Sequence, residues 1–182
     1  MKYNLEWLRK EYNNGKRFTY RFFWGGGKTQ GETGRTRFSQ WYDCRFTVDG
    51  VEYSTAEQYM MAGKARLFGD DEVMAQIMTA EHPREYKKLG RKVRNFNQKL
   101  WDENKAKIVL EGTLAKFSQN PELKELLLNT GDAVLVEASP YDHIWGIKMC
   151  EGEPGIENPN NWRGENLLGF ILMEARDILR IT

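Results

Sequence analysis

The sequence predicts an α+β fold that is predominantly α-helical, with a small β-hairpin or sheet, in one domain over residues 1–182. Three observations lead to this prediction. Most of the chain divides into segments of helical periodicity bounded by Gly, Pro or Asn, one Asp-Gly pair lies between two short β-prone segments, and one short apolar run is typical of a buried strand. A chain of 182 residues is long enough to bury a substantial core.

Helices are predicted wherever apolar residues recur with helical spacing. The first is amphipathic and ends at the turn signal Asn13-Asn14-Gly15. The second begins after a cap at Ser54 or Thr55, has Glu57 near the position of a capping-box acid, and ends before Gly69. The seven predicted helices span residues 3–12, 55–68, 71–78, 83–92, 98–117, 121–129 and 165–179.

Strands are predicted from β-branched and aromatic content beside turn residues. Residues 45–48 and 51–53 flank Asp49-Gly50, a pair suited to a tight type I′ hairpin turn. Residues 133–137 have the composition of a buried strand, and residues 17–24 that of another. The following polar loop, residues 25–35, lacks the spacing of known phosphate-binding motifs, so residues 1–36 are interpreted as an N-terminal extension with a Gly-rich loop.

Composition excludes several classes of function. The chain has 27 Lys and Arg against 26 Asp and Glu, and a net charge of +1 does not predict strong general binding to nucleic acid. No apolar run approaches the roughly 20 residues of a membrane helix. Two isolated Cys and two His predict a reducing, cytoplasmic location and neither a metal nor another cofactor.

One face of the second helix is the first candidate site. Glu57, Met61, Lys64 and Phe68 fall within roughly 60° of arc around a helix. An acid and an amine separated by Met predict a partly desolvated surface where either pKa is shifted, suited to proton transfer, phosphate binding or nucleophilic attack. The alternative is that Glu57 only caps the helix and that Lys64 is solvated.

The second candidate site surrounds the buried strand. Asp132, Glu137 and Asp142 bracket it, and Asp142 lies close to Trp145, a pair suited to a planar base or nicotinamide ring. The alternative is that Asp132 closes a turn and Asp142 forms an Asx turn.

The third candidate site is the start of the last helix, because helix N-termini bind phosphate. Arg163 and Asn166 are suited to a phosphate or a ribose there, and a simple helix cap is the alternative. Arg91 and Arg94 form a further cationic patch, which is either a phosphate clamp or solvated surface.

Several motifs occur in an order that resembles the YbiA/NADAR family over residues 38–179. They are the hairpin with its Glu-to-Lys-Ala helix, FSQWYDCRFTVDGVEYSTAEQYMMAGKA; the stretch LLLNTGDAVLVEASPYDHIWGI; and the helix start NWRGENLLG. Where the family commonly has a Ser-Asn-Phe-like segment, this chain has Ser39-Gln40-Trp41.

The resemblance implies a helix-rich fold and N-glycosidase activity without a cofactor. Family members hydrolyse ribosylamino pyrimidine or pyrimidinone phosphates of the riboflavin pathway, and others remove ADP-ribose from guanine bases, so a guanine within DNA is a further candidate substrate. Lys28 and Arg35, in the Gly-rich loop, are candidates for contacting a diphosphate. The alternative function is a non-catalytic module that binds NAD or ADP-ribose.

The resulting prediction has three catalytic and five substrate-binding residues. Lys64 is a candidate Schiff-base nucleophile toward an opened ribose. The predicted catalytic residues are Glu57, Lys64 and Asp132, and the predicted substrate-binding residues are Trp101, Asp142, Trp145, Arg163 and Asn166.

Overall fold

The computed structural model describes residues 1–25 and 34–182, and helices dominate this part of the chain. All seven predicted helices are present with ends shifted by a few residues, as are the predicted strands. The helices are α1 Leu5–Asn13, α2 Ala56–Leu67, α3 Asp71–Thr79, α4 Pro83–Gly90, α5 Gln98–Gln119, α6 Pro121–Leu128 and α7 Leu167–Arg180. The strands are β1 Tyr20–Phe23, β2 Phe46–Val48, β3 Val51–Tyr53 and β4 Val134–Glu137, and short 3₁₀ helices span Gly34–Phe38 and Pro159–Asn161.

The predicted hairpin is confirmed. Strands β2 and β3 pair antiparallel, with Val48 opposite Val51. Asp49 and Gly50 connect them with φ angles of 50° and 79°, the two positive values that a type I′ turn requires. The hairpin is followed directly by the first turn of α2.

The second sheet pairs β1 with β4 in parallel, with Phe23 opposite Glu137. The sequence predicted both strands but not their pairing. Phe23 is 2% exposed and belongs to the core, so residues 20–23, which the sequence analysis placed in an N-terminal extension, pack as an integral part of the fold. The parallel pairing brings the carboxyl ends of both strands to one edge of the molecule.

Helix α2 is buried on nearly all sides, which explains why its sequence shows little segregation of polar from apolar residues. Thr55, one of the two predicted caps, accepts a hydrogen bond from the backbone N–H of Gln58. The Gln58 side chain accepts one in return from the backbone N–H of Ser54. Gln58 thus takes the position of the capping-box residue in place of Glu57, although its side chain bonds the N–H of Ser54, one residue before the cap.

Helix α7 packs against β4 through a residue in the left-handed conformation. Asn166 precedes the helix at φ 54° and is fully buried. Its side-chain amide donates to the carbonyl of Leu135 and accepts from the N–H of Glu137, both at 2.9 Å. At Gly169, a β-carbon would collide with the Leu135 carbonyl, so only Gly allows this close approach.

Among the helices of the described ranges, none is long and apolar enough to cross a membrane.

Replacing Asn166 by Ala is expected to lower the free energy of unfolding by about 2–4 kcal/mol, because two buried backbone groups on β4 lose their partners. Asn95 is the matched control, since it is also left-handed, at φ 57°, but exposed. Asn95→Ala carries the same backbone strain without the buried hydrogen bonds. Urea titration of both variants measures the difference, and equal losses would contradict the role given to the Asn166 amide.

Candidate active site

A cavity of about 660 Å³ opens at the carboxyl ends of β1 and β4. It lies between α2, the ends of α4 and α5 that face it, the segment 39–41 and the loop after β4. Five of the eight predicted site residues line it, namely Glu57, Lys64, Trp101, Asp142 and Trp145. The structure thus gathers residues from three separate segments of the chain around one space.

The predicted face of α2 forms one side of this cavity. Glu57, Met61 and Lys64 all line it, as their helical spacing predicts. Phe68 continues the same face but is buried in the core, where its ring lies 5.2 Å from that of Phe96. Only the first two and a half turns of this face of α2 therefore line the cavity.

Glu57 is buried in the cavity, with 5% of its surface exposed. Desolvation raises the pKa of its carboxyl group to about 7, with Asp142 adding to the rise, while Lys87 and the nearby indole of Trp41 oppose it. The backbone N–H of Glu57 donates to the Gln40 carbonyl at 2.9 Å. A carboxyl group with this pKa is able to give and to take a proton near neutral pH.

Glu137, the last residue of β4, is a second carboxyl group in the same cavity. Its Oε2 atom is buried and has no hydrogen-bond partner among the residues that the structure describes. Desolvation, with the negative charges of Asp142 and Glu57 and against the charge of Lys87, raises its pKa to about 8. With their pKa values raised to about 7 and about 8, Glu57 and Glu137 together carry at least one proton at neutral pH.

Asp142 combines the two roles that the sequence left open. Its Oδ1 atom accepts hydrogen bonds from the N–H groups of Ile144 and Trp145, at 2.9 and 2.8 Å, which is an Asx turn. The same residue lines the cavity and acts electrostatically on both glutamates. Asp142 therefore shapes the loop and adds negative charge to the site.

Lys64 lies two helical turns after Glu57 on the same face of α2 and is half-buried among aromatic rings. Its Nζ atom is 4.5 Å from the ring centre of Phe96 and 5.6 Å from that of Trp101. Desolvation and the charge of Arg91 lower the pKa of its amine. No ion pair within 4 Å neutralises Lys64 in the described part of the chain.

Further cations come from α4 and its end. Lys87 and Arg91 both line the cavity and are exposed to solvent. Arg94, grouped with Arg91 in the sequence, instead binds Asp70 at 2.6 Å and supports the start of α3. Lys64, Lys87 and Arg91 thus provide the local positive charge that a phosphate requires.

A buried lysine binds the backbone beside residues 39–41, the segment that forms the cavity wall near Glu57. Lys116 is fully buried, and its ammonium donates to the carbonyls of Arg37 and Ser39, both at 2.8 Å. Ser39, Gln40 and Trp41 follow directly and line the cavity. The place where the chain departs from the family's Ser-Asn-Phe-like segment is therefore part of the site.

Three predicted site residues lie outside the cavity. Asp132 precedes β4 whereas Glu137 ends it, so the two are roughly 15 Å apart along the strand. Asp132 is 94% exposed, pairs with Arg180 at 3.0 Å and borders a different cavity of about 540 Å³. The turn interpretation of Asp132 thus fits the structure, and Asp132 leaves the candidate site.

Arg163 and Asn166 serve the fold around α7. Arg163 donates to the Lys148 carbonyl and pairs with Glu153 at 2.6 Å on the surface. The side-chain amide of Asn166 is hydrogen-bonded to the backbone of β4, as described above. Arg35 pairs with Glu151 at 2.6 Å on the surface, and Lys28 lies outside the described residues.

The sequence analysis named Glu137 in the second candidate site but left it out of the predicted site residues, and it missed Lys87, Trp41, Trp24 and Tyr141. All five line the cavity. For Glu137 a signal was present, because an acid at the end of a buried strand has to be solvated, paired or functional. The other four could be assigned to the site only from the tertiary structure, because no local pattern in the sequence relates them to α2.

The pKa of Glu137 gives a prediction about stability. A carboxyl group with a raised pKa in the folded state stabilises the fold less as pH rises from about 4.5, its unfolded value, through about 8. Glu137→Gln removes this dependence. We compare the free energy of unfolding of Glu137→Gln with that of the unsubstituted protein. This difference, variant minus unsubstituted, is expected to be about 1–3 kcal/mol larger at pH 8.5 than at pH 5.

Denaturant titrations at these two pH values measure the change, with the exposed Glu125→Gln as control. A difference between the Glu137→Gln and unsubstituted proteins that does not vary with pH would contradict the raised pKa.

Comparison with known proteins agrees with this arrangement. The sequence model of the NADAR domain matches residues 22–180, and so begins within β1. N-glycosidase R617 of Acanthamoeba polyphaga mimivirus is 47% identical over 163 residues, which cover 87% of this chain and 95% of that protein. N-glycosidase YbiA of Escherichia coli (strain K12) is 33% identical over 144 residues, covering 79% and 81% respectively.

The fold agrees as well. The NMR structure of the E. coli protein YbiA superposes with a TM-score of 0.71 at 29% sequence identity, over 91% of this chain and 88% of that one. This confirms the predicted helix-dominated α+β fold and the resemblance from which part of it was inferred. The chain belongs to the NADAR domain family.

Proposed function

We propose that this protein is an N-glycosidase, a hydrolase that cleaves the C–N bond between a base and a phosphorylated ribose. The observation that carries the proposal is the pair of buried carboxyl groups, Glu57 and Glu137, in a cavity that also contains cations and aromatic rings. The names of the relatives R617 and YbiA support the same reaction class. The proposed substrates are a ribosylamino pyrimidine phosphate or an ADP-ribosylated guanine.

Departure of the base requires a proton and stabilisation of positive charge at C1 of the ribose. The acid pair supplies both, because one proton is held while the remaining negative charge faces the reacting carbon. Trp101 and Trp145 provide flat apolar surfaces for the base or ribose, and Lys87 and Arg91 provide charge for the phosphate.

Lys64 is the proposed nucleophile. A half-buried amine beside a second cation has a lowered pKa, which is a recognised way of activating lysine. Its Nζ atom bonds to C1 as the C1–N bond to the base breaks, and the base leaves with the proton from the acid pair. The C1–O4 bond of the ribose then breaks, a proton passes from Nζ to O4, and C1 and Nζ are joined as a protonated Schiff base on an open ribose. Water then adds to C1, the C1–Nζ bond breaks, and the acid pair regains a proton. The net reaction consumes one water and releases the base and the ribose phosphate.

Lys64→Met and Glu57→Gln are each expected to lower kcat at least about 100-fold, because each removes a group that acts on the reacting carbon or the leaving base. Free base released from ribosylamino pyrimidine phosphate and from ADP-ribosylated guanosine is measured by chromatography. Lys124→Met, at a half-buried lysine on α6, is the control and retains activity.

Trapping separates the proposed role of Lys64 from simple phosphate binding. Borohydride added during turnover is expected to leave a stable ribosyl adduct on Lys64, detected by mass spectrometry, and Lys64→Arg forms none. If the folded protein binds ADP-ribose but releases no base from either substrate, it is a binding module and the proposed reaction is wrong. The predicted cytoplasmic location stays a prediction.

A further inference from the structure

A second cavity, of about 540 Å³, lies at the opposite end of the β1–β4 sheet from the candidate active site. Thr19 and Ala133, which directly precede β1 and β4, both line it. The active-site cavity opens at the carboxyl ends of the same strands, and five residues of extended chain separate the two ends by roughly 15 Å. A ligand in the second cavity would therefore be distinct from a substrate bound beside Glu57.

Arg176 of α7 is the unusual residue of the second cavity. Its side chain belongs to the lining, yet only 1% of its surface is exposed to water. Its Nη1 atom donates to the hydroxyl of Thr130 and to the carbonyl of Ala133, both at 2.8 Å. Its Nε atom is buried and has no hydrogen-bond partner among the residues that the structure describes. Support of the turn before β4 thus explains one nitrogen of the guanidinium and leaves the buried charge unexplained.

No carboxylate neutralises Arg176 in the described part of the chain, since none lies within 4 Å of it. Asp177, the next residue on α7, pairs instead with Lys2 at 2.6 Å. Asp132 pairs with Arg180 at 3.0 Å. Burial and the charge of Arg180 lower the pKa of Arg176, so its charged form is disfavoured where it lies. An anion bound in the cavity would relieve this unpaired charge.

The other charged residues of the lining also favour an anion. Lys16, Arg17 and Arg21 are exposed and line the second cavity together with Arg176. Asp132 is the one acid in the described lining, and it is already paired with another arginine. Four cations and one neutralised acid favour a ligand with two negative charges, such as a phosphate monoester, over a single carboxylate.

An aromatic wall adjoins these cations. The ring of Trp7 lies 5.0 Å from that of Tyr3 and 5.9 Å from that of Phe18, in edge-to-face contacts. All three are half-buried and line the second cavity. The Nζ atom of Lys16 is 5.1 Å from the ring centre of Phe18, so positive charge and aromatic surface are adjacent. A ligand that joins a phosphate to a planar ring matches both features.

We propose that the second cavity binds a phosphate monoester that carries a planar ring. Arg17 and Arg21 bind the phosphate beside the buried charge of Arg176, and Trp7 and Phe18 contact the ring. This binding does not depend on the proposed hydrolysis, because it uses none of the residues of the active-site cavity. Four of the five residues precede residue 22, where the match to the NADAR domain begins, so most of this site lies outside the matched domain.

Adenosine 5′-monophosphate (AMP) is the probe, because it joins a phosphate monoester to a planar base. Calorimetry is carried out in the background Lys87→Gln/Arg91→Gln, which removes two cations from the active-site cavity and weakens phosphate binding there. AMP is expected to bind this protein at one site. Adding Arg17→Gln and Arg21→Gln is expected to raise its Kd about tenfold, while both exposed positions leave the fold intact.

The matched control adds Arg45→Gln and Arg84→Gln to the same background. Both arginines are exposed and lie outside both cavities, so the Kd of AMP is expected to stay unchanged. Adenosine, which lacks the phosphate, and inorganic phosphate, which lacks the ring, are each expected to bind at least about tenfold more weakly than AMP. Arg176→Met is expected to weaken AMP binding as well, and if this variant does not fold, Arg17→Gln/Arg21→Gln decides.

Three results would overturn the second site. They are an absence of AMP binding in the background protein, a Kd that Arg17→Gln/Arg21→Gln does not change, and binding of inorganic phosphate as tight as that of AMP. None of them bears on base release, which is measured separately with the glycosidase substrates. Equally, a protein that releases no base but binds AMP as expected would retain the second site.

Discussion

The side-chain amide of Asn166 connects the start of α7 to the last residues of β4, and the site is built on that connection. By bonding the carbonyl of Leu135 and the N–H of Glu137, it fixes the end of the strand from which Glu137 projects. The loop that carries Asp142 and Trp145 begins there. A left-handed residue is needed for the amide to reach both groups, and Asn tolerates that conformation better than most residues.

The acids of the cavity are kept at a cost to stability. Burial disfavours ionised carboxyl groups, and Glu57, Glu137 and Asp142 also repel one another. The charge of Lys87 opposes the rise in pKa at both glutamates. An apolar pair in their place would pack without this penalty, so the acids are more readily explained by chemistry than by folding.

Part of the site could be predicted because its geometry is local. Glu57, Met61 and Lys64 share a face through helical spacing alone, and Asp142 and Trp145 are close in the chain. The motif resemblance connected these segments and added Trp101. Asp132 shows the limit of this reasoning, because it belongs to the same motif as Asp142 but lies beyond the opposite end of β4. Motif membership did not reveal which end of the strand faces the cavity.

The sequence by itself determined what depends on neighbouring residues: the helices, the caps, the type I′ hairpin and the family. Each follows from backbone preferences or periodicity within a few residues of the chain. Only the tertiary structure decided that β1 pairs with β4, that Glu137 joins Glu57, and that Trp24 meets Tyr141 beside the active-site cavity. These contacts join residues far apart in the chain, where the packing of the whole core selects the partners and local propensity has no influence.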